Sequence, residues 1–439
     1  MKRCFSLLIF GLCAALLLSG CAGPAVSTGP GESSGSPSTS AVLPPAAAAD
    51  LMQNVQAAPW PEEPEPLPAD FSAATARFAA RLLQQSATNP GTFMISPASV
   101  YLALAMTLNG ADGTTKEAML AVLSDHSLSS DSINQSARSW LTRLNRASGG
   151  TTVAVCNSIW FDQTFTPAAE FLQTNADYYG ASARKLDFRA AETPAVINAW
   201  VKEATHGRIE KIVSEIKPDT VLYLINAIYF LADWAVPFAK NATHSQVFHA
   251  PAGDVSTDFM HRTGSMTALT LPGATGVALP YTDGDFVFFA LLPDKDPRSW
   301  LAAQDPGRLF PDLLAAVQSP AVQMELALPK FESRYEDSLK DELEQMGLGP
   351  AFQPEQADFS RMNADRVRNL YISEIRHKSF VRVDEKGTEA AAATSVEMGV
   401  TSLPVSERRL VLDRPFVYGI LDTKSGIPLF AGIMENPAA

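Results

Sequence analysis

Among the 439 residues of this chain, the side chains that could do covalent chemistry are few and poorly grouped. Gly31-Glu32-Ser33-Ser34-Gly35 has the spacing of a nucleophile elbow. That chemistry needs a sharp strand-to-helix turn, and the pattern lies in a Gly/Ser/Pro-rich stretch that reads as a tether. The six histidines, at 126, 206, 244, 249, 261 and 377, are scattered without ligand spacing, and His244 and His249 are poorly placed as a pair. There is no HExxH, no glycine-rich phosphate loop and no CxxC, so no metal and no cofactor is expected. Acidic pairs such as Glu62-Glu63, and Asp283 with Asp285 around Gly284, read as solvated surface. No nucleophile is joined by a base and an orienting group, and the chain does not read as an enzyme.

The cysteines divide by position. Lys2 and Arg3 form a basic start, Leu7 to Leu18 an apolar run that is short for a retained membrane span, and Leu18-Ser19-Gly20-Cys21 resembles a bacterial lipobox. This predicts a lipoprotein signal peptide over 1–20 and lipid modification of Cys21. Acyl chains there would bury dozens of methylenes at roughly 0.8 kcal/mol each, enough for stable anchoring. The mature protein is then expected outside the cytoplasm, lipid-anchored to a bacterial membrane or cell surface. Cys4 and Cys13 leave with the signal, so Cys156 is the one free thiol and no internal disulfide can form. Its apolar surroundings, Val153 to Trp160, read as an inert buried strand.

The formal charge of −13, from 34 basic and 47 acidic residues, argues against nucleic acid as a partner. Stepping along the chain, 21–69 is rich in Gly, Ser, Pro and Ala and reads as a flexible tether, stiffer in its Pro-rich second half. From 70 to 439 the texture is that of a single domain, expected as a monomer. Helical periodicity marks 71–87, 97–110, 114–124, 131–147, 168–178, 192–205 and 336–347. Strand-like runs mark 151–161, 220–231, 276–281, 285–292, 322–331, 370–384, 408–412, 416–422 and 428–434. Helices lead and strands follow, which predicts an α+β fold.

One segment has a pattern at odds with its composition. Glu385-Lys386-Gly387-Thr388-Glu389-Ala390-Ala391-Ala392-Ala393-Thr394 looks helical by its alanines. With a period of two, Thr388, Ala390, Ala392, Thr394, Val396 and Met398 share one face, and Glu389 and Glu397 keep to the other. Such a segment can enter a sheet as a half-buried strand without stranding a charge in the core.

Several motifs resemble the serpin family and together span 70–437. They are Asn89 to Ser99 with its Ser96-Pro97-Ala98-Ser99 helix start; Asn157-Ser158-Ile159-Trp160-Phe161; Ile197-Asn198-Ala199-Trp200-Val201; and Thr205-His206-Gly207-Arg208-Ile209. Leu224 to Phe230 with Trp234 and Pro237-Phe238 follows, then Leu328-Pro329-Lys330-Phe331, Ala357-Asp358-Phe359-Ser360, Asp413-Arg414-Pro415-Phe416 and the closing Gly432 to Pro437. With the lipobox, the likeness is to a bacterial, lipoprotein-type serine protease inhibitor.

The resemblance implies three β-sheets, eight or nine helices and an exposed reactive-centre loop between a strand ending near Val383 and one beginning near Arg408. It implies a covalent acyl complex with a target serine protease, after which the freed hinge, Glu385 to Thr394, inserts into the main sheet. Fourteen residues from Thr388 to Thr401 at roughly 3.3 Å each span about 46 Å. The family's spacing from Gly387 puts the attacked bond between Thr401 and Ser402, with Val400 and Leu403 as alternates and Arg408 and Arg409 as the runner-up bait. Uncharged residues there imply elastase-like or subtilisin-like targets. Ser96, Ser99, Asn226 and His377 match a hydrogen-bonded cluster beneath the centre of the opening sheet, and Trp234 an aromatic at its top. The other reading within the family is a non-inhibitory serpin-fold surface binding protein whose loop is merely a substrate.

Overall fold

The computed structural model describes residues 48–147, 149–205, 207, 209–217, 220–388 and 408–438, with backbone alone at 154, 156, 226 and 227. The signal peptide, Cys21, the first part of the tether, the hinge residues Glu389 to Thr394 and the bond candidates Val400, Thr401, Ser402 and Leu403 lie outside the described residues.

The early helices follow from local sequence. In α1 (Ala69–Ser86) the apolar positions recur at helical spacing, and Phe71, Phe78, Leu82 and Leu83 are buried. Ser96 opens α2 (Pro97–Leu108): its Oγ accepts from the Ser99 N–H at 3.3 Å, and Pro97 takes the first position, where a missing N–H costs nothing. Asp112 caps α3 (Gly113–Ser124), and Ser129 caps α4 (Ser130–Leu144). Further along come α5 (Ala169–Tyr179), α6 (Thr193–Ala204), α7 (Pro297–Ala302), α8 (Leu309–Val317) and α9 (Lys340–Leu343). The ninth runs on through a π turn, Glu344–Leu348, into a last turn, Gly349–Phe352.

The strands are β1 (Ala49–Asp50), β2 (Phe93–Ile95), β3 (Thr151–Asp162), β4 (Ser182–Leu186) and β5 (Leu222–Asp233). Then follow β6 (Thr243–Ala250), β7 (Gly253–Leu271), β8 (Ala274–Pro280), β9 (Phe286–Pro293), β10 (Val322–Pro329) and β11 (Phe331–Ser338). The last are β12 (Arg376–Val383), β13 (Gly387–Thr388), β14 (Arg408–Val411), β15 (Phe416–Asp422) and β16 (Pro428–Met434).

They build three sheets. The first has the order β1-β4-β3-β5-β13-β12-β11. The other two share the long strand β7, whose earlier part pairs with β6 and β10 while residues 267–271 pair with β8. One of these is β14-β10-β7-β6, and the other runs from β7 through β8, β9, β15 and β16 to β2. Strands β9, β15 and β16 are buried along their whole length, so they read as continuous apolar runs. This is an α+β fold with the three sheets that the likeness to serpins implies and, with the run Lys340 to Phe352 taken as one, nine α-helices among the described residues.

Three expectations need correction. The helix expected over 336–347 begins at Lys340, because β11 continues to Ser338. The strand expected from 370 begins only at Arg376; on the β5 side no ladder partner faces Leu370 to Ile375 among the described residues. Residues 48–68 do not behave as a tether. Ala49 and Asp50 add a strand to the edge of β4, and Leu51, Met52, Val55, Trp60 and Leu67 pack on the core. Arg138 donates to the Ala58 and Pro59 carbonyls and sits 5.6 Å over the Trp60 ring. Four apolar side chains and an indole outweigh the proline content that suggested a tether.

Candidate functional site

Among the described residues, each of the two central strands of the first sheet has a continuous ladder on one edge only. β5 pairs with β3 from Thr151↔Ala232 to Phe161↔Leu222, and β12 with β11 from Phe331↔Val383 to Ser338↔Arg376. Between β5 and β12 stand two residues of β13. Gly387 lies opposite Asp233, and Thr388 opposite both Ala232 and Val383. Below Thr388 no ladder joins β5 to β12 among the described residues. Lower down, the space between Leu222, Leu224, Leu370 and Ile372 is a groove floored by Ala103 and Leu104 of α2. Facing strand edges that have no partner among the described residues are a template for one more strand.

The chain reaches this gap through a turn that is held on all sides. The Trp234 N–H donates to the Lys386 carbonyl at 2.7 Å, its indole N–H to the Asp384 carbonyl at 2.9 Å, and the Phe238 N–H to the Glu385 carbonyl at 2.8 Å. Inside the turn, Asp384 N–H donates to the Gly387 carbonyl at 3.1 Å, and Lys386 N–H to Asp384 Oδ1 at 2.9 Å. Only glycine fits at 387, since a Cβ there would lie 2.0 Å from the Ala232 carbonyl oxygen. Beneath the turn Trp234 stacks on Tyr281 at 4.8 Å, and the Tyr281 and Thr388 hydroxyls are 2.5 Å apart.

Glu385 is buried, and its Oε1 accepts from Lys330 Nζ at 3.1 Å and Thr243 Oγ1 at 3.0 Å. Burial pushes its carboxyl up, but a backbone hydrogen bond, Lys330 and Thr243 together prevail and hold it below the usual carboxylate range.

Midway down the sheet lies a polar cluster between β12 and the start of α2. The Ser96 N–H donates to His377 Nε2 at 3.0 Å, and Ser96 Oγ donates to the Leu429 carbonyl at 2.8 Å. Ser379 Oγ donates to the Met94 carbonyl. Burial pushes the His377 imidazole down to about 4, against a smaller opposing pull from Asp337, so it is neutral and accepts. A lone pair held for a buried N–H is the satisfaction such a site requires.

Of the site residues expected from the sequence, Ser96, Ser99 and His377 come together here. Asn226 contributes its backbone to the β3–β5 ladder opposite Asn157, and its side chain is outside the described residues. Trp234 stands at the other end of the gap, against the hinge residues Glu385, Gly387 and Thr388. Arg408 and Arg409 form β14 and pair with Met324 and Glu325 of β10; their side chains are exposed, but their backbone belongs to a strand. The sequence carried no sign of Tyr281, Thr243, Asp384 or Ser379, because each meets its partner across different elements. Lys330 stood in a quoted motif without a role.

The comparisons agree with this geometry. The sequence model of the serpin (serine protease inhibitor) family matches residues 73–437. An uncharacterised serpin-like protein of Thermococcus kodakarensis is 33% identical over 363 residues, covering 81% of this chain and 83% of its own. The crystal structure of the thermophilic serpin tengpin in its native state superposes with a TM-score of 0.81 at 34% identity, over 89% of this chain and 99% of that one. The latent state of tengpin gives 0.74 at 33% identity, over 85% and 99%. The fit is closer to the native state than to the latent one. By its sequence and by the arrangement of its sheets, this chain belongs to the serpin family, whose members are mostly inhibitors of proteases rather than enzymes.

Proposed function

We propose that this serpin traps serine proteases as a suicide substrate, drawing its cleaved reactive loop into the space between β5 and β12. The observation that carries this reading is β13, whose described residues Gly387 and Thr388 fill the first two strand positions of that space. Its register extends in one way. Residue 390 falls between Phe230 and Val381, 392 between Ile228 and Ser379, and 394 between Asn226 and His377. Met398 comes level with Leu222, the first residue of β5. Ten residues beyond Thr388 at roughly 3.3 Å each cover about 33 Å.

Thr388 faces the interior, so the even positions Ala390, Ala392, Thr394, Val396 and Met398 follow it inward, and Glu389 and Glu397 point to solvent. All the inward side chains near the hinge are small. No proline intervenes before Pro404, so every new N–H can join the ladder. The target protease attacks the Thr401–Ser402 bond, or a neighbour between Val400 and Leu403, and forms an acyl-enzyme. Strand pairing on two edges then draws the loop and its protease down the sheet. The uncharged residues at the cut suit elastase-like or subtilisin-like pockets. A lipid on Cys21 holds the inhibitor at a membrane outside the cytoplasm; metabolic labelling with a fatty-acid analogue, lost in Cys21→Ser, tests that part.

Incubation with pancreatic elastase or subtilisin should give a covalent complex that survives boiling in detergent, with the cut site read by mass spectrometry. Clean cleavage of every molecule with no complex would overturn the proposal and leave a serpin-fold binding protein whose loop is a substrate.

A further inference from the structure

His244 and His261 are seventeen positions apart in the sequence, and the β6–β7 hairpin makes them neighbours. His244 pairs with Phe259, two residues before His261 on the same face of β7, and the two imidazoles stack at 4.2 Å with 7° between their planes. Diagonal cross-strand neighbours are within reach for side chains of this size. Gln246, next along that face, completes the group. Its amide nitrogen lies 3.1 Å from His244 Nε2 and 2.7 Å from His261 Nε2. Whichever way the amide is turned, both Nε2 atoms lie within hydrogen-bonding distance of it, while the stacked rings hold their in-plane lone pairs side by side.

We infer that His244 and His261 form a two-imidazole site for a divalent d-block cation, Zn²⁺, Ni²⁺ or Cu²⁺, with the Gln246 amide as its placeholder. Imidazole nitrogen suits these ions. Bond lengths of about 2.0–2.1 Å along each in-plane lone pair require the two rings to swing out of their parallel stack as each nitrogen moves in by roughly 0.6–1 Å, a change of side-chain torsion at two solvent-accessible residues. His244 is exposed and His261 half-buried, so the ion arrives from solvent. No third His, Cys, Asp or Glu completes a cluster among the described residues, and water fills the remaining positions. Glu325 on β10 and its ion-pair partner Arg409 act on His261 in opposite senses.

The test is calorimetric titration of the full chain, free of any affinity tag and stripped with EDTA, with Ni²⁺ and with Zn²⁺. One ion per chain is expected, with His244→Ala and His261→Ala each weakening binding by about tenfold or more. His249→Ala, which removes an exposed imidazole of the same hairpin held by Asp254 at 2.8 Å, should leave binding unchanged, and Gln246→Ala should bind at least as tightly. Equal loss in His249→Ala, or no loss in the other two histidine variants, overturns the assignment. Electron paramagnetic resonance of the Cu²⁺-loaded wild-type chain gives a readout independent of how the variants fold: coupling to two imidazole nitrogens supports the site, and coupling to none contradicts it.

Discussion

The hydroxyls of Tyr281 and Thr388 lie 2.5 Å apart beneath the indole of Trp234, so the first turn of the loop is seated in the sheet before any protease cuts it. Thr388 is 1% exposed, and an arginine there would bring an unpaired charge into the interior at a cost of several kcal/mol. Thr388→Arg should turn the protein from an inhibitor into a substrate: elastase cleaves it, and gels show no covalent complex. Tyr281→Phe removes one partner of a buried pair and should cost about 1 kcal/mol in thermal stability while leaving complex formation intact.

Parity gives a sharper contrast. Ala392 and Ala393 are chemically identical neighbours, yet on the proposed insertion the register of Gly387 and Thr388 would send the first between Ile228 and Ser379 and the second to solvent. Ala392→Glu should abolish complex formation, whereas Ala393→Glu should keep the stoichiometry of inhibition within about twofold, the size of a surface substitution. Equal effects of the two would contradict the register.

The carboxylate of Glu385 locks the hinge turn to Lys330 and Thr243. Its acidity is raised by folding, so the stability it contributes is present above its ordinary value of 4.5 and is lost as the pH falls through its lower folded value. Thermal unfolding of Glu385→Gln should be about 1–2 kcal/mol less stable than wild type at pH 7, and the difference should shrink toward pH 3.

His377 acts in a different window. Unfolded, it titrates near 6.5; folded, near 4, so between these values the unfolded chain binds more protons and stability falls as the pH falls. The loss reaches about 3 kcal/mol by pH 4. His377→Gln, whose amide oxygen can still accept from Ser96, should flatten the profile of melting temperature against pH between 4 and 6.5.

The features legible in the sequence are those fixed by neighbours in the chain. Helices α1 to α6 announce themselves by periodicity and, at α2, by the Ser96-Pro97 start, and the buried strands β9, β15 and β16 by continuous apolar runs. Strands β6 and β7 escaped notice because the sheet they form is largely exposed and leaves no clean alternation of polar and apolar residues. The contacts that secure the hinge join residues far apart, Glu385 to Lys330 and Thr243, Trp234 to Asp384, Tyr281 to Thr388, and no spacing encodes them. The same holds for His244 and His261, which look scattered until a hairpin folds between them.

The central claim is that the gap between β5 and β12 takes up the cleaved loop. Differential scanning calorimetry of the intact chain and of the chain nicked between Val400 and Leu403 tests it most directly. Filling about ten strand positions on two edges should raise the melting temperature by at least about 10 °C, which for a domain of this size corresponds to roughly 5 kcal/mol or more. A nicked chain that melts at the same temperature as the intact one, or below it, would contradict insertion.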